Sequence, residues 1–247
     1  MRNLHPRAAT GVVPGTGEEM TKAEWVVFDT ETSGTNVFED RVVQCVVSLA
    51  TSAGELLETH EWLIKPDISV PEEAAAVHGF DDAFLAEHGR DPKDALTEIS
   101  EVLMANRHLV WVAFNINFDL SILDAEFRRY GVSDRFGKYV SRHVRLFDGL
   151  VVDRAKDKYR KGSRKLENVA AHYGVPFDPE AAHKADYDVE ITAKVAARVA
   201  EKFGIPTNAE QKAWYADWAE GLERYLRKTD PEAVVDRDWP LRLKEEA

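Results

Sequence analysis

The sequence predicts an α/β fold in which a mixed β-sheet is covered by helices. Three observations predict it: short β-branched and aromatic runs gather early in the chain, two more apolar runs alternate later with segments of helical period, and no internal repeat or low-complexity tract interrupts them. Trp25 to Glu31 is the first strand, ended by Ser33 and Gly34 as turn residues. Arg41 to Ala50 and Glu55 to Ile64 repeat its character around Ser52-Ala53-Gly54, the pattern of a hairpin. Helices are expected over Pro71 to His78 and over Pro92 to Asn106. In the second, Leu96, Ile99, Val102 and Leu103 share a face and Asp91 stands as N-cap before Pro92. Leu109 to Phe114 reads as a buried strand, followed by a helix from about Asn117 to Tyr130 and a short strand near Val144 to Phe147. Helices around Gly149 to Lys158 and Arg164 to Tyr173 come next, then a long one from Asp186 to Phe203 that Gly204 and Pro206 close.

With 247 residues, 44% of them apolar, the chain can bury a sizeable core. Its net charge of −12 offers no global attraction to polyanions, so an anionic ligand has to be met locally. One cysteine, Cys45, allows neither an internal disulfide nor a thiolate zinc cluster, and a cytoplasmic setting is the default expectation. The longest apolar run, Leu109 to Phe114, is far short of the ~20 residues a membrane-crossing helix needs. Residues 1–23 read as a flexible arm, 24–204 as the catalytic domain and 205–247 as a helical extension. In the extension Asn208 and Gln211 have the spacing of a capping box, and Trp214, Tyr215, Trp218, Leu222, Tyr225 and Leu226 make an aromatic stripe.

Charge is unevenly spread. Between Arg128 and Lys165 there are 13 basic residues against four Asp, and seven of the twelve residues from Arg154 to Lys165 are basic. Arg160, Lys161, Arg164 and Lys165 are therefore candidates for holding a phosphate backbone, against the plainer reading of a solvated helix face.

Acids occupy positions where a core would be expected. Asp29 and Glu31 are two apart at the end of the first strand, so both side chains leave one face. Asp119 lies one turn before Leu123 on the stripe that Leu120, Leu123, Phe127 and Tyr130 make. Asp188 heads the line Ile191, Val195, Val199, Phe203 on the long helix, whereas Asp186, Glu190, Lys194 and Arg198 follow one another on its charged face. Four inward carboxylates repel unless a cation neutralises them, and all-oxygen ligation selects two Mg²⁺ or Mn²⁺ ions over zinc. His183, five residues before Asp188, is placed to act as a base.

Phe28-Asp29-Thr30-Glu31-Thr32 with Gly34, then Phe114-Asn115-Ile116-Asn117-Phe118-Asp119, then His183 with Asp188, resemble the three motifs of the DnaQ-like (DEDDh) 3′→5′ exonucleases. The resemblance spans residues 24 to 203. It implies a ribonuclease H-like fold, with a five-stranded mixed sheet whose second strand is antiparallel, and two divalent metals. It also implies Asp29, Glu31, Asp119 and Asp188 as metal ligands and His183 as general base, with Thr30, Thr32 and His78 lining the 3′-terminal nucleotide and Asn115 and Phe118 supporting the strand or the site. The implied substrate is nucleic acid with a free 3′ end, single-stranded DNA favoured, and the implied partner is a DNA polymerase or other replication protein. A 3′→5′ exoribonuclease is the alternative within enzymes, and a non-catalytic docking module built on the Trp-rich tail is the alternative outside them.

Overall fold

The structure is a computed structural model that describes residues 22–182 and 184–242. Five strands form one sheet in the order β3-β2-β1-β4-β5: β1 Trp25–Thr32, β2 Val42–Ala50, β3 Leu56–Leu63, β4 Val110–Ala113 and β5 Arg145–Asp148. β1 pairs antiparallel with β2 and parallel with β4; β2 pairs antiparallel with β3, and β4 parallel with β5. Only β2 runs against the rest, which is the mixed five-stranded sheet that the family resemblance implies.

Helices cover both faces. On one side α3 (Pro92–Ala105) and α4 (Ile116–Arg129) pack a core containing Phe28, Leu96, Ile99, Trp111, Leu120 and Phe127, all fully buried. On the other, α8 (Ala185–Phe203) lays Ile191, Val195 and Val199 against Val27, Val46 and Val112. Alternate residues of β1 thus feed opposite cores, as the two-residue period requires. Asp91 caps α3 by accepting from the backbone N–H groups of Lys93 and Asp94. α1 (Glu72–His78), α6 (Gly149–Lys156) and α7 (Leu166–His172) lie close to their sequence limits.

Two short helices go beyond the sequence reading, α2 (Asp82–His88) and α5 (Phe136–His143). Leu85 alone is buried in α2, and Phe136, Gly137 and Val140 in α5, so neither shows a stripe long enough to read.

The capping box of α9 (Asn208–Leu226) is shifted by one residue from the expected pair. Thr207 is the N-cap, accepting from the Glu210 N–H, while the Glu210 carboxylate accepts from the Thr207 N–H. This frees Asn208 and Gln211 for the outer edge of β5. Asn208 donates to the Val144 carbonyl (2.8 Å) and accepts from Leu146 N–H (3.0 Å). Gln211 donates to the Leu146 carbonyl and accepts from Asp148 N–H, both at 2.8 Å. Two side-chain amides stand in for a sixth strand and satisfy an edge that would otherwise template foreign pairing.

The C-terminal stretch then returns over α4. Trp239 and Leu241 are buried in the core on that side, Asn117 donates to the Asp238 carbonyl (2.8 Å), and Arg242 donates from Nε to Asn117 Oδ1 (3.0 Å). Tyr215 is buried, Arg154 lies 3.9 Å over the Trp218 ring and Lys156 4.5 Å over that of Trp214, while Tyr225 stays exposed. The aromatic stripe therefore faces this chain along its first half. Among the described residues no helix is long and apolar enough to cross a membrane.

Candidate active site

The site forms where the C-terminal end of β1 meets the first turns of α4 and α8. Strand alternation sends Asp29 and Glu31 out of one face, beneath α8. Thr30 between them points to the other face, where its hydroxyl donates to Asp119 Oδ1 at 2.7 Å. Asp29, Glu31 and Asp188 each present a carboxylate oxygen, all within 4.8 Å of one another. Asp119 is buried beside this triad, its Oδ1 taken by Thr30.

Electrostatics mark the cluster. Burial, then the charges of Asp119, Glu31 and Asp188, push Asp29 well above the usual carboxylate range. Glu31 is pushed up to about 8 by burial, then by Asp188 and Asp119. Asp119 is raised by burial, which the Thr30 hydroxyl partly opposes. Among the described residues no Lys, Arg or His forms an ion pair with Asp29, Glu31 or Asp119. Converging hard oxygen donors that raise one another's proton affinity fit a divalent cation such as Mg²⁺ or Mn²⁺.

A cavity of about 270 Å³ opens on Asp29, Glu31 and Asp188. Phe114, Leu166 and Phe177 give it an apolar wall and Lys165 a cation, so the acids share their space with surfaces suited to a base and a phosphate. Of the basic run, Lys165 alone lines this cavity and Lys161 is exposed. Arg160 and Arg164 turn instead to the fully buried Asp153: Arg160 Nη2 lies 2.6 Å from its Oδ2, Arg164 pairs with the same oxygen, and the Tyr173 hydroxyl donates to Oδ1 at 2.9 Å. A sequence that reads as seven surface cations is here partly a buried ion network.

Of the remaining sequence candidates Thr30 lines the cavity, whereas Thr32, His78, Asn115 and Phe118 do not. Thr32 donates to the Gly34 carbonyl (2.7 Å) and shapes the turn after β1. His78 is buried, stacks on Phe80 and accepts from the Phe80 N–H through Nδ1 (3.1 Å), and burial lowers its proton affinity. Asn115 occupies the left-handed region (φ 77°) at the turn from β4 into α4, and Phe118 packs against the core beneath Arg242. His183 lies outside the described residues.

Asp148 went unread as part of this site. It ends β5, fully buried, and its Oδ1 accepts from Leu150 and Val151 at the start of α6 and from the Asn115 N–H (3.3 Å). It thereby ties the turn that launches Asp119 to β5, and its charge adds to the pressure on Asp119. Its sequence signal, an acid before Gly149 at a helix start, is that of an ordinary N-cap.

Known proteins bear on this geometry in three ways. Residues 26–196 match the model of the RNase_T exonuclease family. The chain is 28% identical over 172 residues to a DNA polymerase III PolC-type protein of Mycoplasmopsis pulmonis, covering 70% of this chain and 11% of that one. It is 25% identical over 182 residues to the 3'-5' exonuclease DinG of Staphylococcus epidermidis, covering 73% of this chain and 18% of that one. The chain thus spans under a fifth of either relative. E. coli exonuclease I in complex with a dA16 oligonucleotide shares the fold, with a TM-score of 0.64 at 21% identity over 74% of this chain and 42% of that one. A five-stranded sheet with β2 alone reversed, acids converging at the end of β1 and a family match across both place this chain in the RNase_T exonuclease family, the DnaQ-like group that its sequence motifs resemble.

Proposed function

We propose that this chain is a metal-dependent 3′→5′ exonuclease that hydrolyses single-stranded DNA ends to nucleoside 5′-monophosphates. The observation that carries the reading is the convergence of Asp29, Glu31 and Asp188 oxygens within 4.8 Å, with Asp119 buried alongside. In this reading the four acids hold two Mg²⁺ or Mn²⁺ ions. When bound, such ions neutralise charge developing on a phosphodiester and make water more acidic. His183 takes the proton of the attacking water. Lys165 meets a phosphate at the cavity rim, and Phe114, Leu166 and Phe177 give the terminal nucleoside an apolar seat. Thr32 and His78 meet the 3′-terminal nucleotide, and Thr30, whose hydroxyl donates to Asp119, supports the site together with Asn115 and Phe118. Residues 24–204 carry the chemistry, and the extension that starts at 205 covers the β5 edge through Asn208 and Gln211. The names of the DinG and PolC-type relatives favour DNA and a replication or repair setting with a polymerase or other replication protein as partner.

The test is degradation of a 5′-labelled single strand, DNA beside RNA of the same sequence, with Mg²⁺, Mn²⁺ or chelator and with Asp29→Ala as the blank. The expected result is a ladder shortening from the 3′ end of DNA, absent with chelator and in the blank. Faster loss of the RNA would make the chain an exoribonuclease. No cleavage with any metal would overturn the catalytic reading. In the same assay His183→Ala is expected to lose ~10²- to 10⁴-fold in turnover while keeping the metal-induced rise in melting temperature.

A further inference from the structure

The loop from the end of α6 to the start of α7 carries an aromatic ring that makes no ring stack, cation contact or side-chain hydrogen bond among the described residues. Tyr159 is 91% exposed, in a chain whose other Tyr and Trp rings are mostly packed. A lone exposed ring is ordinary on a protein surface, but three features set this one apart. The loop is anchored from beneath: Arg160 and Arg164 are bound to the buried Asp153, and Arg164 Nη2 also donates to the Asp157 carbonyl at 2.6 Å. With the arginines drawn inward, the residues between and before them are turned outward. Lys158, Lys161 and Lys165 are exposed, and none of the three forms an ion pair among the described residues. Finally, the loop ends at the catalytic cavity, since Lys165 lines it beside Asp29, Glu31 and Asp188.

An anchored loop that offers one aromatic face between unpaired lysines has the chemistry of a single-strand platform, in which a base stacks on the ring and the flanking phosphates meet the cations. We infer that Tyr159, with Lys158 and Lys161, binds the single strand upstream of the scissile phosphate, as a subsite separate from the one that holds the 3′-terminal nucleotide. The six residue steps from Tyr159 to Lys165 reach at most ~20 Å when extended. At ~3.4 Å per stacked nucleotide this places the subsite within about six nucleotides of the 3′ end. The inference rests on the exonuclease reading, and the experiment separates the two.

Binding of fluorescent dT3 and dT12 to the full chain is measured in chelator by anisotropy, next to hydrolysis of the p-nitrophenyl ester of thymidine 5′-monophosphate with Mn²⁺, which has no upstream strand. Tyr159→Ala is expected to weaken dT12 by roughly tenfold or more and to leave both dT3 binding and ester hydrolysis at the wild-type level. Tyr159→Phe keeps the ring and should bind dT12 as the wild type does. Lys158→Glu with Lys161→Glu should flatten the salt dependence of dT12 binding by about 1.4 in log–log slope. Unchanged dT12 affinity in Tyr159→Ala, or an equal loss on dT3, would overturn the subsite. Wild-type failure to hydrolyse the ester or any strand would instead count against the exonuclease reading, with the binding comparison still deciding the platform.

Discussion

Asp153, buried, and Asp29, half-buried, are aspartates of the same chain with opposite surroundings. Asp153 is fully buried, yet each of its oxygens has a partner: two guanidinium groups share one and the Tyr173 hydroxyl takes the other. Asp29 is ringed by Asp119, Glu31 and Asp188, each of which raises its proton affinity further. Both arrangements carry the desolvation cost of a buried carboxylate. Only at Asp153 does the protein itself offset it. A buried acid that the fold satisfies is a rivet; a cluster of acids that the fold leaves repelling is a place where something else completes the structure.

Neutralising one acid in each region tests the contrast. Asp29→Asn is expected to lower strand cleavage by at least ~10³-fold, the kinetic equivalent of several kcal/mol of lost charge stabilisation. Its melting temperature in chelator should be unchanged or higher, because a repelling group has been removed. Asp153→Asn should do the reverse. It removes the anion that two largely covered guanidinium groups share, leaving Arg160 only Asp157 and Arg164 only backbone carbonyls, at a cost of about 3 kcal/mol in denaturant unfolding, and should keep ester hydrolysis close to wild type at low temperature. If Asp29→Asn destabilised the metal-free protein as much as Asp153→Asn does, the division between rivet and open site would be wrong.

The same contrast separates what was legible in the sequence from what was not. Asp29, Glu31, Asp119 and Asp188 could be found because a strand repeats every two residues and a helix every 3.6, so an acid on the apolar face stands out locally. A mixed sheet with helical cover followed from the same periods, whereas the five strands with the second reversed are what the family resemblance implies. Arg160 and Arg164 could not be told from solvated cations, since their partner Asp153 is reached only once α6 and its following loop have folded back. Asn208 and Gln211 had the spacing of a capping box, yet the cap belongs to Thr207 and Glu210 and the amides serve a strand over 60 residues away. Asp148 gave the signal of an N-cap and fills that role. Its further tie to the Asn115 turn depends on β4 and β5 being neighbours, which no local pattern encodes.

The β5 edge supplies a second satisfied region and a smaller effect. Gln211→Leu keeps bulk and apolar contact but orphans the Leu146 carbonyl and the Asp148 N–H, both buried. About 2 kcal/mol of stability should be lost in denaturant unfolding. If Gln211→Leu were neutral, water would be serving the edge as well as the side chain does, and the amides would be incidental to it.

The smallest effect is also the most direct reading of the unsatisfied region. Glu31 binds its proton more tightly in the folded chain, with its pKa pushed from 4.5 to about 8. A raised folded-state pKa contributes stability that is fully present below the unfolded value and is lost as pH rises through the folded one. The metal-free protein should therefore lose melting temperature between pH 4.5 and 8 on this account. A divalent cation competes with that proton, so the gain in melting temperature from Mn²⁺ over chelator should grow across the same interval, and metal binding at pH 7 should release protons measurable in weakly buffered solution. Asp29→Asn should shrink both signals and Asp153→Asn neither, because only the first alters the acids that await a cation. A Mn²⁺ gain independent of pH would mean that the carboxylates are already ionised without metal, and that their repulsion is relieved by water rather than held for a ligand.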